Sequence, residues 1–372
     1  MLNAPVAMVQ HGSRDLVETS FETPRLEPGA ALLRLEACGL CGSDIEALAA
    51  IDNAPSKEGS GLHLPRIMGH EIVGTVVEVG EGGRRDATVG ERVAVDPWLP
   101  CGGCEYCLAG RSMFCVGWDF SPACYGFIAT DVGPGLWGGY ATHLYAHPKT
   151  VLYPIPAHVE ATKAALWNPL GAGIEWAVRT PGTTIGTTIA VLGSGQRGLC
   201  SVAAAKAAGA AHVTVTGLSK DADKLELAER FGADLTIDVE RESAVERIEH
   251  LTGGRGVDVV VDTSANSTAP IGESLKMVRS GGTIVLAGLK NKPVPEFEVD
   301  QTILKGVTIR GTLGVDSASY RHAVELLAAD AFPLTAMQTH RFDFRDAVTA
   351  VDTLAGETED RSAINVVLTM ED

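Results

Sequence analysis

The segment TTIAVLGSGQRGLCSVAAAKAAGA, residues 187–210, constrains the fold of this chain more than any other. TTIAVLG reads as a fully buried strand, and the Ala-rich run after it reads as a helix. Between them Gly193, Gly195 and Gly198 stand in the spacing GxGxxG. The first glycine permits a tight turn, and the second lets backbone approach a pyrophosphate. The third lets helix and strand pack closely, and the helix N-terminus offers free N–H groups to an anion. A Gly-rich turn alone says little, but a turn between a strand and a helix that opens a βαβ series is the context that gives it meaning. That series follows: HVTVTG, DADKLELAERFGA, LTIDV, ESAVERIEHLTGG, VDVVVDTS, PIGESLKMVRSGG and TIVLAGL alternate strand and helix patterns. Such alternation predicts an α/β, doubly wound parallel sheet with helices on both faces. Gln196 and Arg197 fall inside the loop. Arg197 either meets the pyrophosphate or points outward.

A carboxylate about 20 residues beyond this loop grips the ribose 2′-OH of NAD. Here the position holds Gly217, followed by Ser219 and Lys220. A small residue leaves room for a 2′-phosphate, and the hydroxyl and ammonium groups can bind it, so NADP is preferred. Asp221 or Asp223 could serve the ribose instead, which keeps NAD possible.

Upstream the rhythm differs. Residues 1 to about 165 carry short Val-rich runs punctuated by turns, such as EIVGTVVEVGEG and GERVAVDPW, as in an antiparallel β-rich domain. Two stretches, around 51–62 and 118–138, are irregular excursions. After about 310 come one helix pattern, SASYRHAVELLAAD, and a final strand-like INVVLTM, too short a stretch to stand as a domain. It is expected to pack back on the first part. At 372 residues and 45% hydrophobic, the chain is long enough for two cores. Its net charge of −17 repels phosphate backbones and anionic lipid, so nucleic-acid and membrane partners are not expected. The start, MLNAPVAMVQHGSR, does not show a basic and then apolar leader pattern. The expected location is cytoplasmic.

Of eight cysteines, four are packed into CGGCEYCLAGRSMFC as Cys101, Cys104, Cys107 and Cys115. Without a secretory pattern, such a cluster points to metal rather than disulfides. Four thiolates close a tetrahedron around zinc and leave no position for substrate, which is a structural site. An iron–sulfur cluster is the alternative that thiolates also suit. Elsewhere GLCGSD supplies Cys41, Ser43 and Asp44, and GHEIVG supplies His70 and Glu71. A thiolate, an imidazole and a carboxylate suit a zinc ion that keeps an open position.

In this order the fragments resemble the zinc-dependent medium-chain alcohol dehydrogenases, over essentially the whole chain and nearest the sorbitol- and threonine-dehydrogenase-like branches. The resemblance implies a Rossmann sheet inserted in a GroES-like β-rich catalytic domain, with the active site in the cleft between them. The domains expected are 1–168 with a structural zinc lobe at about 96–116, 169–310 for the dinucleotide, and 311–372 returning to the first. The resemblance decides for zinc in the lobe and implies two zinc ions per chain. It makes Cys41, His70 and Glu71 ligands of the catalytic zinc, Glu71 binding directly in some states and exchanging with water in others. It makes Ser43 the hydroxyl that relays the substrate proton, and Asp44 a carboxylate that orients a ligand.

The chain departs from these branches twice. Asn168 in ALWNPLGAG stands where a carboxylate is common, and Glu46 stands where the outer relay is often His. An uncharged amide is a poorer zinc ligand, so zinc is expected to rely more on Glu71. The implied chemistry is hydride transfer between an alcohol and the nicotinamide, interconverting alcohol and aldehyde or ketone, with zinc acidifying the hydroxyl. Trp98, Trp118, Phe120 and Trp137 suggest an aromatic lining and hence a hydrophobic alcohol. The alternatives are a zinc-free quinone or enoyl reductase, whose relatives lack the cysteine lobe, and a non-catalytic nucleotide-binding relative. Family members are usually oligomers, so a homodimer or homotetramer is expected.

Overall fold

The computed structural model describes residues 4–49 and 63–370; the excursion expected at 51–62 lies outside the described residues. The chain divides into two compact units. One comprises residues 1–168, 324–330 and 337–372, and the other comprises 169–323 and 331–336.

The first unit begins with β1 (Val6–Gly12), β2 (Asp15–Ser20), β3 (Ala31–Gly39) and β4 (Arg66–Ile67). It continues with β5 (Glu71–Val79), β6 (Arg92–Val95), β7 (His143–Ala146) and β8 (Leu152–Pro154). The second unit holds β9 (Thr188–Leu192), β10 (His212–Gly217), β11 (Leu235–Asp238), β12 (Val257–Asp262), β13 (Val278–Leu286) and β14 (Thr308–Gly311). The chain then returns to the first unit with β15 (Gln338–Asp343) and β16 (Asn365–Thr369).

In the first unit the main sheet runs β15-β16-β3-β5-β6-β8, with β7 on the other part of β3, and a small sheet runs β2-β1-β4. All the pairings in it are antiparallel except β15 with β16. Leu32, Leu33 and Leu35 of β3 are fully buried together with Ile72 and Val76 of β5. Each such side chain contributes about 1.5–3 kcal/mol on leaving water. This burial holds β3 against β5 in one register, Gly39 opposite Glu71, and that register builds the site described below.

In the second unit the six strands are parallel, in the order β11-β10-β9-β12-β13-β14. The first strand in sequence, β9, is central, flanked by β10 on one side and β12 on the other. This is the doubly wound order, and its switch point lies at the carboxyl end of β9. Ile189, Ala190 and Val191 are fully buried, as a strand covered on both faces requires.

The sequence division at about 310 and the structural one at Ala323 differ for a packing reason. Gly171 lies against the Tyr320 ring, which leaves no room for a β-carbon there, so the start of the helix Ser317–Ala329 belongs with the second unit. Among the described residues no helix is long and apolar enough to cross a membrane.

Candidate active site

Cys41 lies two residues beyond the end of β3 and forms the N-cap of the short helix Gly42–Leu48. Its thiol accepts from the Ser43 N–H at 3.4 Å, and its own N–H donates to Asp44 Oδ2 at 2.8 Å. Glu71 opens β5 and His70 immediately precedes it, both reached through Gly69 at φ +90°, where a β-carbon would run into the Tyr140 ring. Because Gly39 pairs with Glu71, the end of β3 and the start of β5 deliver these side chains to one place. One ligand atom each from Cys41, His70 and Glu71 lies within 4.8 Å of the others, and all three residues are buried. A tetrahedral zinc with these donors needs ligand-to-ligand edges of about 3.3–3.8 Å, so the trio fits one ion. Ser43 Oγ is 2.9 Å from Cys41 Sγ, and Ser43 is half-buried.

Electrostatics favours a cation here. His70 Nδ1 faces Asp44 Oδ1 at 3.8 Å, and Asp44 is 1% exposed. Burial alone lowers the His70 pKa, but the charges of Asp44 and Cys41 outweigh it and raise the imidazole to about 9. Burial pushes the Asp44 carboxyl up to about 6. A metal bound at His70 therefore displaces a proton.

The four lobe cysteines form a second cluster, also with all ligand atoms within 4.8 Å of one another. Cys101 Sγ is 3.9 Å from Cys107 Sγ, and Cys104 Sγ is 4.0 Å from Cys115 Sγ. A disulfide would need about 2.05 Å, whereas the edge of a four-thiolate zinc tetrahedron is about 3.8 Å. An iron–sulfur cluster spreads its thiolates over several irons, wider than these edges. Backbone N–H groups of Gly103 and Cys104 point at Cys101 Sγ, and that of Cys101 at Cys115 Sγ, as thiolates require. Backbone donors pull the Cys104 thiol down to about 6. Gly117 is in close contact with Cys101, and a side chain there would displace the sulfur.

In the second unit Gly193 adopts φ +103°, and a β-carbon on Gly198 would overlap the Gly193 carbonyl. Gly195 is different: among the described residues nothing lies within 4 Å of where its β-carbon would be. It is the N-cap of the helix Gln196–Ala207, with no side-chain cap, so the open face and the helix N–H groups fit an anion. Thr263 Oγ1 donates to the Leu192 carbonyl at 2.9 Å and steadies the loop. Gln196 is buried, and the Arg197 guanidinium lies over the Trp176 ring, 5.3 Å from its centre. Gly217 pairs with Asp238 across β10 and β11. The Ser219 hydroxyl donates to Asp238 Oδ2 at 2.6 Å and its N–H donates to Glu240 Oε2 at 2.8 Å, while Lys220 is exposed.

The aromatic residues separate. Trp137 is a core residue, 2% exposed, between Tyr125 and Tyr145, which corrects its expected place in a lining. Trp118 stacks on Phe120, meets His147 edge-on and lies under Lys149, so its faces are taken. Trp98 is half-buried beside Cys124. Asn168 is buried, and Glu46 is exposed. Two neighbours of the trio carried no signal in the sequence. Phe127 sits 5.7 Å from His70, within the excursion 118–138, and Arg66 is fully buried over the Phe127 ring.

Residues 27–157 match the alcohol dehydrogenase GroES-like domain, and residues 198–329 match the zinc-binding dehydrogenase family. A probable alcohol dehydrogenase of Mycobacterium tuberculosis is 39% identical over 98% of both chains. The crystal structure of an alcohol dehydrogenase from Thermotoga maritima superposes with a TM-score of 0.86 at 27% identity, covering 99% of each chain. That of a putative zinc-binding dehydrogenase from Sinorhizobium meliloti bound to NADP gives 0.83 at 26%, covering 99% of this chain and 100% of the other. With both halves matched and a relative this similar along its whole length, the chain belongs to the zinc-type medium-chain alcohol dehydrogenase family.

Proposed function

We propose that this protein is a zinc-dependent oxidoreductase that moves a hydride between an alcohol and NADP(H), interconverting alcohol and aldehyde or ketone. The observation that carries this reading is the buried trio Cys41, His70 and Glu71, with Ser43 Oγ 2.9 Å from the Cys41 sulfur. These three residues would hold the catalytic zinc, and the four lobe cysteines a structural one. Zinc supplies Lewis acidity toward the substrate oxygen, and the nicotinamide supplies or accepts the hydride.

The chain's own residues do the rest. Ser43 takes the substrate hydroxyl proton and passes it toward solvent. Asp44 holds His70 in orientation from its Nδ1 side. Gly193, Gly195 and Gly198 bring the backbone and the helix N–H groups to the pyrophosphate. Phe127 and Trp98 offer apolar surface, which supports a hydrophobic alcohol over a highly hydroxylated sugar.

NADP(H) is read ahead of NAD(H) because Gly217 presents no carboxylate and Lys220 is an exposed cation nearby. A 2′-phosphate gains Ser219 only by displacing Asp238 and Glu240, so the preference rests on Lys220. A homodimer or homotetramer in the cytoplasm is the assembly we propose. The test is metal analysis with NADPH and NADH titrations, followed by a panel of alcohols and carbonyls. Zinc-dependent turnover of an alcohol supports the reading. Quinone reduction by zinc-free protein would overturn it.

A further inference from the structure

We propose that Gly39 is a positioning residue for the zinc site: its missing β-carbon is the recess that seats the Glu71 carboxylate beside Cys41 and His70. This rests on the reading of those three residues as ligands. Gly39 is the last residue of β3 and lies opposite Glu71 in the β3–β5 pairing, two residues before Cys41. Cross-strand partners on one face of an antiparallel pair compete for the same space. Here the competition is severe. A β-carbon on Gly39 would overlap Glu71 Oε2 and lie 3.2 Å from Glu71 Cβ. Its next neighbour, the Ala165 carbonyl, is at an ordinary 3.5 Å.

The obstacle to a side chain is therefore Glu71 alone. Gly39 is not among the positive-φ glycines, so its backbone conformation suits any residue. What glycine provides is volume for the carboxylate. With that volume filled, Glu71 must turn away from the place where its oxygen lies within 4.8 Å of the other two ligand atoms.

A double-mutant cycle on the full chain tests this, using Gly39→Ala and Glu71→Ala singly and together. The readouts are Zn²⁺ affinity, by competition with a chromophoric chelator, and the Tm of the zinc-free protein. Gly39→Ala is expected to weaken the Cys41 site for Zn²⁺ by about 10-fold or more, with the lobe zinc retained. In the Glu71→Ala background only the β-carbon at position 71 still meets the new methyl, so the same substitution should cost clearly less zinc affinity and Tm than it does in the wild-type chain. Equal losses in both backgrounds, or no loss in either, would overturn the proposal. If Gly39→Ala alone is insoluble, a soluble double variant supports the proposal and an insoluble one overturns it. Wild-type protein that takes up only one zinc would sink the metal-site reading instead. The Tm comparison would then still report whether Gly39 seats Glu71.

Discussion

Removing zinc from the cysteine lobe should melt residues 101–115 and leave the rest of the first unit folded. The lobe has almost no core of its own. Its helix Glu105–Leu108 and the single turn Ser112–Phe114 contain no buried residue. Its large apolar side chains are mostly in water: Leu108 is 76% exposed, Val116 72% and Phe114 41%. The burial that remains contributes about 3 kcal/mol. Turn hydrogen bonds such as Leu108 N–H to Cys104 O and Arg111 N–H to Tyr106 O add about 1 kcal/mol each, about 6 in all. Ordering about 15 residues costs about 20 kcal/mol. The shortfall of about 11 kcal/mol falls in the ~10–16 kcal/mol range of structural zinc in small domains. The perturbation is Cys107→Ser or strong chelation, and the assay is hydrogen exchange resolved by peptide. Protection across 101–115 should collapse, while β3 and β5, whose core takes nothing from the lobe, keep theirs. Undiminished protection of the lobe without metal would refute the reasoning.

Three further outcomes follow from the same geometry. Ser43→Ala should lower kcat about 100-fold or more with zinc content and NADPH affinity unchanged; unaltered turnover would remove Ser43 from proton relay. Glu240→Ala frees the Ser219 amide and deletes a negative charge, so NADPH should bind about 5–10-fold tighter and NADH about as before, read by fluorescence titration. Asp258, at the start of β12, has its carboxyl raised by burial, but Arg279, Thr188 and Arg255 outweigh this and pull it from 3.8 down to about 2. A depressed folded pKa stabilises above the unfolded value, so this contribution of about 2 kcal/mol is complete above about pH 4 and is lost between about pH 4 and 2. Asp258→Asn should lower Tm at pH 7 and not at pH 2, as calorimetry across pH would show.

Much of this was legible in the residues. The alternation after Thr187 gave the parallel sheet because its strands are buried runs of Val and Ile separated by amphipathic helices, a local pattern. The cysteine lobe was legible because its ligands lie within fifteen residues, so spacing alone limits their geometry. What escaped were consequences of long-range register. Gly39 shows its role only once it is known to lie opposite Glu71, 32 positions away in sequence. Asp238 and Glu240 meet Ser219 only because β11 pairs with β10. Trp137 and Trp98 are alike in a one-dimensional reading. The fold buries the first between two tyrosines and leaves the second half-exposed. The expected domain end near 310 and the division at Ala323 differ because Tyr320 docks on Gly171, a contact across about 150 residues.

The most direct test of the whole account is zinc counted per chain in the purified protein and in Cys41→Ala. Two ions in the first and one in the second, with alcohol oxidation lost alongside, is the result expected. Two ions retained without the Cys41 thiolate, or a single ion in the wild-type chain, would contradict it.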